Sequence, residues 1–114
     1  MGLDTSHDCF HSSYSTFHAW REALCLAAGL GRLKRHVGFG GEEPWPEPSA
    51  LPIVTLLTHS DCDGQIEAKD CAPVADALEQ LLPKLPDTWV LPCTEQWIKG
   101  LRLAASKNEP VDFH

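Results

Sequence analysis

Between His59 and Asp70 the chain reads His-Ser-Asp-Cys-Asp-Gly-Gln-Ile-Glu-Ala-Lys-Asp, with oxygen-bearing side chains at alternate positions, a glycine after the second aspartate and a carboxylate at the end. Alternate residues of a curled segment point inward. Asp61, Asp63 and Glu67 can therefore share a centre with the Gln65 carbonyl, with His59 at one end and Asp70 at the other. A hard cation such as Ca²⁺ takes about six to eight such oxygens, and Gly64 allows the positive φ that a sharp bend needs. The same residues also suit a turn without an ion, in which Asp61 and Asp63 accept from nearby backbone N–H groups.

A second set of ligand-type residues lies near the start. His7, Cys9 and His11 alternate, and His59 and Cys62 repeat the same chemistry in the central stretch. If the N-terminal segment folds against the central loop, His7, Cys9, His11 and Cys62 become a candidate zinc set. No paired C-x-x-C accompanies them, and the competing expectation is a tight coil whose histidines bond backbone or cap the next helix. A third use of these residues is hydrolysis, with His59, Asp61 and Asp63 joined by His7 or His11 around a metal with an open coordination position. No nucleophile–base motif supports that chemistry.

The spacing over 59–70 resembles an EF-hand loop. With His59 in its first position, Asp61, Asp63, Gln65, Glu67 and Asp70 fall on the family's ligand positions, and Gly64 on its turn glycine. Ile66 falls where the family places an apolar residue that anchors the loop to the core. The resemblance implies a calcium site. Two departures weaken it: His59 stands where the family has Asp, and Asp70 is one methylene shorter than the usual Glu. Both move the expected affinity toward about 10⁻⁴ M or weaker.

The elements that must position these residues read as helices. Ser12 or Ser13 can cap a first helix running to about residue 28, with Tyr14, Phe17, Trp20, Leu24 and Ala28 as its apolar stripe and Gly29 past its end. Arg21 and Glu22 fall off that stripe, His18 reads as surface, and Cys25 reads as a small core residue. Residues 29–50 are irregular, with a basic patch (Arg32, Lys34, Arg35, His36), Gly38, Gly40 and Gly41, and prolines at 44, 46 and 48. The glycines lack the preceding strand and following Lys-Ser/Thr of a phosphate-binding loop. Trp45 within that loop either tucks onto the core or stands as an exposed anchor for a partner. Residues 51–58 suit a buried strand or a short helix starting at Pro52, and the latter fits a helix–loop–helix better. A helix over about 73–82 places Val74, Leu78, Leu81 and Leu82 inward, with Asp76 and Glu79 toward water. A short extended piece over 88–92 precedes a last helix capped by Thr94, with Trp97, Leu101 and Ala104 inward. The tail 108–114 reads as extended, with Phe113 docked.

These patterns predict a mainly α fold: a single compact helical domain over 1–114 with a long Gly/Pro-rich loop and an EF-hand-like turn. The chain has 114 residues and a net charge of −7, enough length for one hydrophobic core. No apolar run approaches the ~20 residues of a membrane span. The opening residues lack the basic and apolar regions of a secretory signal. Five cysteines, an odd count without close pairs, fit reduced thiols in a cytoplasm.

From 59 to 95 the acids Asp61, Asp63, Glu67, Asp70, Asp76, Glu79, Asp87 and Glu95 outnumber the bases Lys69 and Lys84. Such a surface repels nucleic-acid phosphates and suits a protein partner with a basic surface, although excess acid also serves solubility alone. Trp45, Asp76 and Glu79 are the residues expected at such a contact.

The opening Gly2-Leu3-Asp4-Thr5-Ser6-His7, then Cys9-Phe10-His11, the central His59-Ser60-Asp61-Cys62-Asp63-Gly64 and the closing Glu109-Pro110-Val111-Asp112-Phe113-His114 resemble, nearly end to end, small uncharacterised proteins of phages and high-GC bacteria. That resemblance implies a phage or prophage accessory protein and assigns no site residues. The functional expectation is binding to another protein, with inhibition of a host-defence nucleoprotein as one such role. A Ca²⁺- or Zn²⁺-responsive module and a metal-dependent hydrolase are the alternatives.

Overall fold

The computed structural model describes residues 2–114. Four short strands, in two antiparallel pairs, frame the four helices. Strands β1 (Gly2–Asp4) and β2 (His11–Ser13) form an antiparallel hairpin, with Leu3 opposite Ser12. The predicted N-terminal coil is thus corrected: its connection is a tight turn over Ser6–Asp8, with His7 and Asp8 at φ of 59° and 61°. The segment carries one buried strand residue, Leu3, between Gly2 and Asp4, too little alternation to stand out in a sequence.

Helix α1 (Tyr14–Ala27) starts where expected, since the Ser13 hydroxyl accepts from Thr16 N–H at 3.2 Å. It buries Phe17, Trp20, Arg21, Leu24 and Cys25, and Gly29 follows at φ 78°. Helix α2 (Ile53–Leu57) takes the short-helix option after Pro52. Helix α3 (Ala68–Leu81) begins five residues before Pro73, so Pro73 sits inside the helix, not in its first turn. Helix α4 (Val90–Ser106) begins earlier than predicted. Thr94 is therefore no cap: it is fully buried, donates to Val90 O at 2.7 Å and accepts from the Trp20 indole N–H at 2.9 Å.

The core gathers around one aromatic pair. Trp20 and Trp97 stack with ring centroids 5.0 Å apart and 5° between their planes. Phe17 lies 6.1 Å from each, and Phe10 and Phe113 close the cluster. Offset stacking of this kind adds about 0.5–1.5 kcal/mol per pair to the burial of the rings. Helices α3 and α4 pack along each other, joined on the outside by Arg102, which reaches Asp76 at 3.0 Å and Glu79 at 2.6 Å.

Strand β3 (Gln65–Ile66) follows the central loop and pairs with β4 (Val111–Asp112) in the tail. On its other side the tail meets the N-terminal strand: Asp4 N–H donates to His114 O at 3.0 Å and His114 N–H to Asp4 O at 2.8 Å. The tail is extended and Phe113 docked, as expected. It lies between the N-terminal hairpin and the central loop, so the three stretches singled out by their chemistry share one side of the fold. The radius of gyration of 13.0 Å fits one domain of this length. No described helix is long and apolar enough to cross a membrane.

Candidate functional site: a cleft over a buried arginine

The His59 ring occupies the middle of the central loop. Its Nδ1 lies 2.8 Å from Ser60 O and its Nε2 2.9 Å from Gln65 O, and the ring packs tilted against Phe113, with centroids 4.0 Å apart. Phe113 N–H donates to Gly64 O at 2.9 Å, and Gly64 takes φ 86°. The first and seventh positions of the EF-hand pattern are thus bonded to each other, and the loop closes on an imidazole. Ile66 is buried, as that pattern expects. Glu67 is exposed and lies 3.5 Å from Lys69, and Asp70 sits in the first turn of α3. Among the described residues no three His, Cys, Asp or Glu side chains are grouped as a metal would need.

The alternative ligands are also spoken for. His7 Nε2 donates to Glu109 Oε1 at 2.8 Å, while Ser6 Oγ lies 2.8 Å from His7 Nδ1 and accepts from Asp112 N–H at 2.9 Å. This serine–histidine–glutamate chain has the hydrogen-bond order of a hydrolase relay. Its hydroxyl, however, is already tied to the tail backbone, so it joins the N-terminal turn to the C-terminus. His11 lies between two carboxylates, Asp4 at 2.8 Å and Asp8 at 2.7 Å. Hydrogen bonds to Asp4 and then Asp8 raise its pKa above the ordinary 6.5. Cys9 is buried against α4, and burial pushes its thiol up to about 12, the reverse of what a thiolate ligand requires. Gly100 permits this approach: a Cβ there would lie 2.8 Å from His7 O and collide with Cys9 Sγ. Cys62 is exposed beside Ser60.

The feature that sequence reasoning missed is Arg21. It does not fall off the α1 stripe but inside it, 5% exposed. Positions 17, 20, 21, 24 and 25 form the full i, i+3, i+4, i+7, i+8 set of a buried helix face, a wider face than the stripe through 14, 17, 20, 24 and 28, so the signal was present in the spacing. Nη1 donates to Leu57 O at 3.1 Å and His59 O at 2.7 Å. The guanidinium lies 4.3 Å over the Phe17 ring and 5.3 Å from the Phe39 ring. Nε is buried without a hydrogen-bond partner. Burial lowers the Arg21 pKa, and Asp61 acts in the opposite sense.

Arg21 forms no ion pair among the described residues, an unusual state for a buried cation. It lines a cleft of 490 Å³ whose other walls are the Phe39 loop, Trp45 and the segment Thr58–Asp61. That volume is within the usual range of small-ligand sites, about 300–1,000 Å³. Trp45 takes a middle course between the two expectations. It is half-buried, stacks on His36 at 4.1 Å and donates its indole N–H to Val37 O at 2.9 Å. Phe39 meets it edge to face, 6.0 Å away at 77°. Gly38 and Gly40, at φ 92° and 96°, flank Phe39 with open space around them. The irregular 29–50 segment therefore supplies an aromatic flap, and the predicted cation loop supplies the facing wall. No protein-family model, curated protein or solved structure matches this chain.

Proposed function

We propose that the chain is a small accessory protein that acts by binding another protein through its acidic surface. One observation carries the reading: Asp61, Asp63, Asp70, Asp87 and Glu95 form no ion pair among the described residues, and Asp63, Asp87 and Glu95 are exposed. Asp76 and Glu79 are partly neutralised by Arg102, so the unpaired acids, more than those two, supply the field. Such a field speeds encounter with a basic surface and disfavours phosphate backbones. The sharpest case is a nucleic-acid-binding protein of a bacterial defence system, whose basic groove the acids would occupy in place of its substrate. This case follows from the charge and size of the chain taken together with the phage-type resemblance, which by itself implies only a phage or prophage accessory protein. Calcium at 59–70, or zinc shared with the N-terminal residues, plays no part in the reading, because His59 and Gln65 O already bond each other and Cys9 holds its proton.

Immobilised protein exposed to a bacterial lysate tests it. The proposal expects retention of a basic protein that elutes as salt rises, with weaker retention on a variant carrying Asp63→Lys, Asp87→Lys and Glu95→Lys. Retention indifferent to salt and to the triple substitution would contradict a charge-driven contact.

A further inference from the structure

We infer that the cleft over Arg21 is a binding site for a zwitterionic amino acid with an aromatic or large apolar side chain. The inference does not require the acidic-surface reading, with which it shares Asp61, and rests on three walls of one cavity.

The floor is a cation that lacks an anion. Arg21 is 5% exposed and, among the described residues, bonds only backbone carbonyls and leaves Nε unpartnered. Burying a charge without a counter-charge is costly, and a ligand carboxylate entering the cleft offsets that cost through charge-assisted bonds. One guanidinium matches one negative charge. A dianion such as phosphate is disfavoured because Asp61 lines the same cleft.

Asp61 is the second wall. It is half-buried and unpaired among the described residues, and it faces the same space as Arg21 without reaching ion-pair distance from it. A cation and an anion held apart across a cleft fit a molecule that carries both charges, an ammonium toward Asp61 and a carboxylate toward Arg21. Phe39 and Trp45 form the third wall, and a side chain packed there covers the apolar rings. The paired positive-φ glycines around Phe39 let that wall move to admit and cover it.

The test is a titration of the full ¹⁵N-labelled chain with L-phenylalanine, followed by NMR at the Arg21 side chain, the Phe39 amide and the Trp45 indole. N-acetyl-L-phenylalanine lacks the ammonium, 2-phenylethylamine lacks the carboxylate, and glycine lacks the ring. The inference expects saturable shifts at the three reporters, with L-phenylalanine binding at least about tenfold more tightly than each analogue. Asp61→Asn should bring L-phenylalanine and its N-acetyl form to equal affinity. Phe39→Ala, on an exposed flap, should weaken binding while leaving the folded spectrum intact. Absence of saturable shifts up to about 10 mM overturns the inference. So does equal binding of the N-acetyl form to the parent protein, which would instead mark a site for a peptide C-terminus. Preferential binding of inorganic phosphate overturns it as well.

Discussion

Arg21→Met removes the guanidinium and keeps most of its length. The substitution orphans two backbone acceptors, Leu57 O and His59 O, which now receive Nη1 at 3.1 Å and 2.7 Å. A buried carbonyl left without a donor costs about 1–3 kcal/mol, so the pair sums to about 2–6 kcal/mol. Two effects pull toward the lower end. His59 O is only part-buried, and methionine relieves the burial of a cation that, among the described residues, has an unpartnered Nε and no ion pair. The expected loss is about 2–3 kcal/mol, on the order of 10 °C in Tm for a domain of this size. Urea unfolding monitored by tryptophan fluorescence measures it, since Trp20 and Trp97 are fully buried. Hydrogen exchange should also quicken between Leu56 and Gln65, where the central loop loses its anchor. A variant within about 0.5 kcal/mol of the parent, or more stable than it, would refute the assignment of Arg21 as the anchor of this loop.

Further outcomes follow from neighbouring contacts. Thr94→Val leaves the Trp20 indole N–H without its acceptor and should cost about 1–3 kcal/mol in the same urea experiment. Gly100→Ala should cost about 1–3 kcal/mol by overpacking, with faster amide exchange over His7–Phe10, because its new methyl meets Cys9 and His7 O. His11 has a folded pKa raised by Asp4 and Asp8. Its contribution is therefore complete below the unfolded value of about 6.5 and fades as pH rises through the folded value. His11→Gln should flatten stability against pH on the neutral side, and an NMR titration of the ring should show the raised midpoint. Millimolar Ca²⁺ or EDTA should leave Tm unchanged, as the His59–Gln65 bond closes the loop without an ion; a Ca²⁺-dependent rise abolished by Asp61→Asn with Asp63→Asn would reverse that account.

The helices were legible because their apolar residues recur at helical spacing and their ends carry Ser13 and Gly29. The strands were not, because each is two or three residues long, and the β3–β4 pair joins partners far apart in sequence, as Ile66 and Val111 are. The Thr94 prediction failed for a related reason. A hydroxyl before an apolar run looks like a cap, yet the helix extends four residues further back, to Val90, and the hydroxyl serves an indole from α1. Alternation of oxygen ligands drew attention to 59–70, but it could not show that the His59 ring would bond Gln65 O within the loop. The candidate site was visible only in part. Asp61 and Trp45 were picked out by their chemistry, whereas Arg21 was placed off the apolar stripe, and a buried cation without an ion pair among the described residues is a property that only packing reveals.

The central claim is that the Arg21 guanidinium is buried and fixed by the carbonyls of Leu57 and His59. Side-chain NMR of the ¹⁵N,¹³C-labelled protein addresses it directly through couplings across hydrogen bonds. The account predicts resolved, slowly exchanging Arg21 Nη1 protons coupled to the Leu57 and His59 carbonyl carbons. A single averaged guanidinium signal in rapid exchange with water would contradict it.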